Sequence, residues 1–433
     1  MNQPSQTFKE SGLEWLGRVP IPWTVRRIKD IAELRSGDAI AAEEIAPTGD
    51  YPVFGGNGVR GFTTSFTHDG HYVLIGRQGA LCGNINYARG RFWATEHAVV
   101  ATLLHNHDTI WFGELLRTMN LNQYSNAAAQ PGLAVDRIKF LRLSVPTFPE
   151  QQRIAAYLDA SCAAIDAAVA AKRRQLETLD SVRESLIESA VTKGVHHSAP
   201  MRSVNEDWIT EIPAHWEVCR IKRIVSRVDY GISESSESEG RYPVLKMGHI
   251  QRGEIDYRDL DFVGKVSDDL LLEKGDLLYN RTNSSDQVGK AAIFRRRRTD
   301  EITFASYLVR LRTNHRADPY FLNYLINSAG FLSFARKLAI PSVQQSNLNS
   351  TRYCRMLIPR PPIKEQREIT VYLDTKLGEL RCVVTGIESQ IATLTAYRKS
   401  LIHECVTGQR RISDADLAAM KRTEADPTIQ HQI

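Results

Sequence analysis

The chemistry available to this chain lies in short polar loops. Asn280-Arg281-Thr282-Asn283-Ser284 follows the apolar run 276–279, and Gly76-Arg77-Gln78-Gly79 follows the run 71–75. Arginine pairs bidentately with guanine edges, and asparagine or glutamine with adenine edges, so these loops hold side chains suited to a major groove. Asn57 and Arg60, in Gly56-Asn57-Gly58-Val59-Arg60-Gly61, belong to the same class. So do Gln130 in Ala129-Gln130-Pro131-Gly132, Gln344 and Gln345 before Ser346-Asn347, and the cations Lys246 and Lys290. The four arginines 295–298 could neutralise phosphates or close a solvated hairpin. The acidic, serine-rich stretch 233–239 should face away from any phosphate backbone.

Motifs that would signal catalysis fail on inspection. The Gly56–Gly61 pattern matches G-x-G-x-x-G, but Phe62-Thr63-Thr64-Ser65-Phe66 follows it where a dinucleotide fingerprint needs a helix, so a glycine-rich turn is expected. Val288-Gly289-Lys290 lacks the upstream glycine and the following Ser or Thr of a phosphate loop. His105-Asn106-His107-Asp108 has nothing beside it to complete a metal site, and none is expected. No Asn-Pro-Pro-aromatic loop for holding a flipped adenine, no H-E-x-x-H and no G-x-S-x-G occur. The chain is therefore expected to be no enzyme, to have no catalytic residues and to hold no cofactor.

The elements that would position the polar loops occur twice. Trp15-x-x-x-Val19-Pro20-x-x-Trp23-x-Val25-x-x-Ile28-Lys29-x-Ile31 returns as Trp208-x-x-x-Ile212-Pro213-x-x-Trp216-x-Val218-x-x-Ile221-Lys222-x-Ile224, shifted by 208 − 15 = 193. Glu150-Gln151, Tyr157-Leu158-Asp159 and Ser185-Leu186-Ile187 return as Glu365-Gln366, Tyr372-Leu373-Asp374 and Ser400-Leu401-Ile402, shifted by 373 − 158 = 215. Each copy is a globular part, with short strands bounded by turn residues and helix-like stretches at 110–121 and 320–338, followed by a long helix. Heptad seams run through Leu158, Ile165, Leu179 and Leu186, with Arg183 on a companion row, and through Leu373, Leu380, Ile387, Leu394 and Leu401, with Arg398 in the place of Arg183. Such seams predict a coiled coil. These eleven residues are the candidates for contact between the helices or with a partner. About forty helical residues make a rod of roughly 60 Å. Two rods that each cover an apolar stripe pack most simply antiparallel, with the globular parts at opposite ends.

The fold expected is α+β: two tandem α/β recognition domains, 1–148 and 195–362, separated by spacer helices 149–194 and 363–409, with a frayed polar tail at 410–433. A formal charge of +5 permits an anionic partner without identifying one. Six cysteines without a C-x-x-C pair argue against a disulfide framework and fit a reducing cytoplasm. No apolar run approaching membrane-spanning length is seen, so no membrane is expected.

This duplicated pattern resembles the specificity subunit of type I restriction–modification systems. The carriers are the twin Trp-x-x-x-hydrophobic-Pro-x-x-Trp motifs, Gly275-Asp276-Leu277-Leu278-Tyr279-Asn280-Arg281 with Val288-Gly289-Lys290, and Ile358-Pro359-Arg360-Pro361-Pro362-Ile363-x-Glu365-Gln366 against Val145-Pro146-Thr147-Phe148-Pro149-Glu150-Gln151. The resemblance implies a subunit reading a bipartite, asymmetric site on double-stranded DNA. It implies two methyltransferase subunits and restriction subunits as partners, with S-adenosylmethionine, ATP and Mg²⁺ held by those partners. The rivals are a self-sufficient methyltransferase or nuclease and a coiled-coil protein scaffold.

Overall fold

A computed structural model describes residues 8–79, 81–125, 132–196, 198–342 and 345–425. The chain forms two compact units. The first takes the residues up to Lys172 and those from Ser389 onward, the second Arg173 to Glu388. The division falls inside both long helices, Phe148–Lys193 and Ile363–Thr407. Each unit thus holds one globular part, the start of its own rod and the end of the other.

In unit 1, six strands line up in the order Ala32–Ser36, Ala98–Leu103, His68–Gly76, Ile85–Ala94, Tyr51–Gly55, Gly58–Thr63. Tyr51–Gly55 runs parallel to Ile85–Ala94, and the other pairs are antiparallel. Period-two alternation splits the central strand between two cores. Val73 and Ile75 join Trp111, Phe112 and Leu115 of helix Thr109–Thr118. Leu74 faces Phe54, Ala88 and Phe92 on the other side. Asp108 caps that helix by accepting from Ile110 N and Trp111 N, both at 2.9 Å.

Unit 2 builds the same centre from shorter strands: Val225–Tyr230, Leu308–Thr313, Leu277–Asn280 and Ala291–Ile293, with a three-stranded sheet holding Tyr242–Leu245 parallel to Thr303–Phe304. Leu277 and Tyr279 enter one core, Leu278 the other. The helix expected over 320–338 is broken into Pro319–Ile326 and Ala329–Leu338. Asn327 turns its amide back to Asn323 O (2.8 Å) and accepts from Ala291 N (3.1 Å), and Ser328 is extended.

The repeated Glu-Gln pairs are joints. Gln151 accepts from Asp108 N (3.0 Å) and donates to Pro146 O (3.0 Å); Gln366 accepts from Asp318 N (2.8 Å) and donates to Pro361 O (2.8 Å). Each rod ends at a glycine in the left-handed region, φ 77° at Gly194 and 78° at Gly408. Gly194 packs on Trp216 in unit 2 and Gly408 on Trp23 in unit 1.

Within each unit, the start of one rod lies beside the end of the other. In unit 1, Leu158, Cys162 and Ile165 share a core with Leu401 and Cys405, and Arg398 pairs with Asp166 at 3.0 Å. In unit 2, Ile187, Ala190 and Val191 share a core with Ile369 and Leu373. Ile187, rather than the expected Leu186, is the buried residue there; Leu186 is half-buried. Ile387 is buried, while Leu179, Leu380 and Leu394 are half-buried, so much of the seam is spent internally. Among the described residues Arg183, unlike Arg398, is in no ion pair, and burial together with Arg252 pulls its pKa down.

Two expectations are corrected. The tail does not fray over its first half, since Asp414–Ala425 is a helix. Its start is a reciprocal cap: Ser413 N donates to Asp416 Oδ2 (2.8 Å) and Asp416 N to Ser413 Oγ (3.3 Å). Ile412 is buried in the unit 1 core, where Arg153 Nε donates to its carbonyl (3.2 Å). Second, Phe148–Lys193 is long and apolar enough by composition to cross a membrane, because alanine counts as apolar. Its Leu158, Cys162 and Ile165 are committed to the unit 1 core.

Candidate nucleic-acid interface

The polar loop after the central strand is held by the same four backbone bonds in both units. In unit 1, Gly76 N donates to Asn84 O (2.8 Å), Gly83 N to Gly76 O (2.7 Å), Arg77 N to His97 O (2.9 Å) and Leu133 N to Arg77 O (2.9 Å). In unit 2, Asn280 N donates to Lys290 O (2.8 Å), Gly289 N to Asn280 O (2.9 Å), Arg281 N to Tyr307 O (3.0 Å) and Leu348 N to Arg281 O (2.8 Å). Gly83 (φ 85°) and Gly289 (φ 84°) turn the chain, and a Cβ on Gly83 would lie 2.5 Å from Asn122 N. Arg77 and Arg281 are therefore equivalent, as the sequence order suggests.

Their side chains meet different partners at an equivalent place. Arg77 Nη1 donates to Ser36 Oγ (3.1 Å), at the end of strand Ala32–Ser36. The Arg281 guanidinium lies 5.1 Å from the ring centroid of Tyr230, at the end of strand Val225–Tyr230. Burial opposes ionisation of Tyr230, but its bonds to Ser350 (Oγ, 2.8 Å) and the nearby Arg281 outweigh it and lower the pKa. Ser36, His97, Tyr230 and Tyr307 were invisible as site residues in the sequence, because only strand pairing brings them to the arginines.

In unit 1 the expected residues converge. Asn57, Arg60 and Gln78 line an open cleft of about 580 Å³ with Gly56, Gly79, His97 and Gly132. Asn57 sits in the turn between Tyr51–Gly55 and Gly58–Thr63, which confirms a glycine-rich hairpin rather than a dinucleotide loop. Asn84 Nδ2 donates to Asn57 Oδ1 (2.7 Å). The Arg60 stem crosses Gly55, where a Cβ would meet its Cδ at 2.5 Å. Gln130 lies outside the described residues.

Unit 2 disperses several candidates. Asn283 and Gln345 share a small antiparallel sheet, Thr282–Asn283 with Gln345–Asn347 and Ile340–Ser342; Gln344 lies outside the described residues. Asn283 Oδ1 accepts from Ser284 N (2.8 Å) and Ser284 Oγ donates to Asp286 (2.6 Å), so both serve the turn. Asn280 must be corrected. It is 1% exposed, at the last position of its strand, with both amide atoms buried and without a partner among the described residues, and it offers nothing to a groove as placed. Lys246 is engaged by Asp261. Lys290 donates to Gln287 (2.7 Å), and burial with Arg336 nearby lowers its pKa. Of the four arginines, Arg295 pairs with Glu254 (2.8 Å), Arg296 covers Tyr257 and Arg298 pairs with Glu273 (2.6 Å), so the run mostly braces the protein. Among the described residues no cluster of His, Cys, Asp and Glu could hold a metal ion.

Comparison with known proteins finds similarity over part of the chain. The type I restriction modification DNA specificity domain matches residues 20–178, most of the globular part of unit 1 and a stretch of the rod that follows it. Over this segment the chain is similar to that domain. The EcoprrI specificity subunit of Escherichia coli is 46% identical over 138 residues, 31% of this chain and 34% of that one. The putative MjaX specificity subunit of Methanocaldococcus jannaschii is 27% identical over 46% of this chain and 47% of that one. The match thus spans about a third and about half of these two specificity subunits. A solved chain from a study of type I R-M complex assembly and conformational transition superposes with a TM-score of 0.68 at 14% identity, over 90% of this chain and 99% of that one, and shares the fold.

Proposed function

We propose that this chain is the DNA-reading subunit of a type I restriction–modification assembly and carries out no catalysis itself. The observation that supports it best is one backbone scaffold built twice, presenting Arg77 and Arg281 in different surroundings, with a specificity domain over the first copy. Two readers of unlike chemistry suit a bipartite, asymmetric site. Asn57, Arg60, Arg77 and Gln78 would meet one half, and Arg281, Asn283 and Gln345 the other. The rods would set the half-site spacing, near one helical turn of about 34–36 Å when both are read from one face, and would dock two methyltransferase subunits. Those partners and the restriction subunits would hold S-adenosylmethionine, ATP and Mg²⁺ in the cytoplasm, and the methyltransferases would flip adenines out of the duplex.

Methylome sequencing of a host with and without this chain tests the reading. A split motif with unlike halves, present only with the chain, is expected. Methyl transfer by the purified chain alone would establish the enzyme alternative, and an unchanged methylome would leave a scaffold.

A further inference from the structure

The repeated lead-in motif holds more than its core requires. Val19, Trp23, Ile28 and Ile31 are buried in unit 1, and Ile212, Trp216, Ile221 and Ile224 in unit 2, which accounts for their repetition. Arg27 and Lys29, and in the same places Arg220 and Lys222, are exposed. Packing gives them no reason to match. In unit 1, Arg27 sits directly across a ladder from Arg142, and the two line a shallow cleft of about 480 Å³ with Arg26. Lys29 Nζ lies 4.9 Å from the centroid of the exposed Phe140 ring, and Arg27 5.9 Å. Like charges opposed on a ladder repel each other. The one carboxylate in the cleft, Asp30, accepts the backbone N–H of Arg27 (3.1 Å) rather than a guanidinium. Among the described residues none of Arg26, Arg27, Lys29 and Arg142 is in an ion pair. In unit 2, the turn carrying Lys222 and Arg223 packs on helix Ser350–Arg355, whose Arg355 is exposed and likewise outside any ion pair.

We infer that these two patches are sequence-independent phosphate contacts, by which each unit grips the backbone of duplex DNA whatever bases its reading loop meets. The inference rests on the proposed DNA-reading function. Interface cores between proteins are depleted of charge, whereas here cations gather and even the exposed ring lies under them. A polyanion relieves that repulsion and releases counterions.

The test uses the full-length chain with Arg27→Gln, Lys29→Gln, Arg220→Gln and Lys222→Gln combined, and fluorescence anisotropy on a random 30-base-pair duplex and on a duplex selected from a random library. The slope of log affinity against log salt should become shallower by about 0.9 for each phosphate no longer neutralised. The preference for the selected duplex should be kept, and each pair alone should give about half the change. Arg27→Lys with Arg220→Lys keeps the charge and should keep the slope; a fall as large as that of the glutamine variant would point to structural damage and overturn the inference. An unchanged slope in a variant of unaltered Tm overturns it too, and would leave an acidic protein partner as the reason for the repeat. Wild-type chain without sequence preference would instead refute the reading function, while a reduced slope in the variant still upheld the phosphate contacts.

Discussion

The two units share a backbone and differ in what they hang on it. Four hydrogen bonds fix Arg77 and Arg281 identically, yet one arginine meets a serine hydroxyl and the other a tyrosine face. The same contrast marks the joints. In unit 1, buried Glu150 accepts from Trp23 Nε1 (3.0 Å) and pairs with Arg411 (2.7 Å). In unit 2, Glu365 pairs with His215 (2.8 Å), and Trp216 Nε1 has no partner among the described residues. Duplication thus preserved main-chain geometry and apolar packing, while polar partners were free to diverge wherever the backbone was already satisfied.

The largest effects should come from the two tryptophans. Trp23→Ala and Trp216→Ala should each cost about 3–5 kcal/mol, since both rings are fully buried and the rod ends rest on them. The sharper comparison is with phenylalanine. Trp23→Phe leaves Glu150 Oε2 buried without its donor, though Oε1 keeps Arg411, and should cost about 1–3 kcal/mol more than Trp216→Phe, which removes an N–H that has no partner among the described residues. Denaturant unfolding followed by hydrogen exchange resolved by unit would show it; equal costs would dissolve the difference between the joints.

The duplication, the rods and the lead-in motifs were legible because burial imposes them at fixed spacing. Trp23, Ile28 and Leu158 repeat since a core demands apolar side chains there. The candidate nucleic-acid edge was legible in part. Arg77 and Arg281 could be aligned by order, but Asn280 looked like a loop residue although it ends a buried strand. Ser36 and Tyr230 lie 41 and 51 residues before their arginines, a distance that only sheet pairing closes. The helix Asp414–Ala425 had a local signal, Ser413-x-x-Asp416, hidden by the polar composition around it.

Each unit also braces its rod with a device the other lacks. Unit 1 buries Ile412 beside the first rod. Unit 2 carries a hairpin, Ile250–Gln251 with Glu254–Ile255, whose Arg252 pairs with Asp180 on the rod at 3.2 Å. Ile412→Ala should cost about 2–5 kcal/mol regardless of salt. Arg252→Ala should cost no more than about 1 kcal/mol and less at high salt, as the pair is largely exposed. A salt-sensitive Ile412 variant or a costly Arg252 variant would contradict this division between apolar and ionic bracing.

On binding, Arg281→Ala should weaken recognition of one half-site by about 1–3 kcal/mol and leave the other intact, with Asn57→Ala or Arg60→Ala doing the reverse. Binding measured on duplexes altered in one half at a time separates the two. A uniform loss on every duplex would assign Arg281 to phosphate and break the proposed contrast between two independent readers.

The smallest effect is a difference in acid sensitivity. His68, His71 and His107 all lie in unit 1, and burial holds each pKa below the ordinary 6.5, with Arg89 adding to the effect at His71. A lowered histidine pKa means that the unfolded chain takes up the proton first. Their contribution to stability is therefore complete above 6.5 and declines as pH falls below it. In unit 2 the shifts cited run the other way in charge: Asp256, held by Arg258, is lowered to about 2, and Asp261 is lowered by Lys246. Those contributions persist above 3.8 and are lost only as pH drops toward the depressed values. Protection of the Ala98–Leu103 amides should therefore weaken between pH 7 and 5.5 before that of Leu308–Thr313, modestly because the three rings keep contact with solvent. Parallel loss in the two strands would mean that the histidines of unit 1 ionise in the folded chain as readily as in the unfolded one.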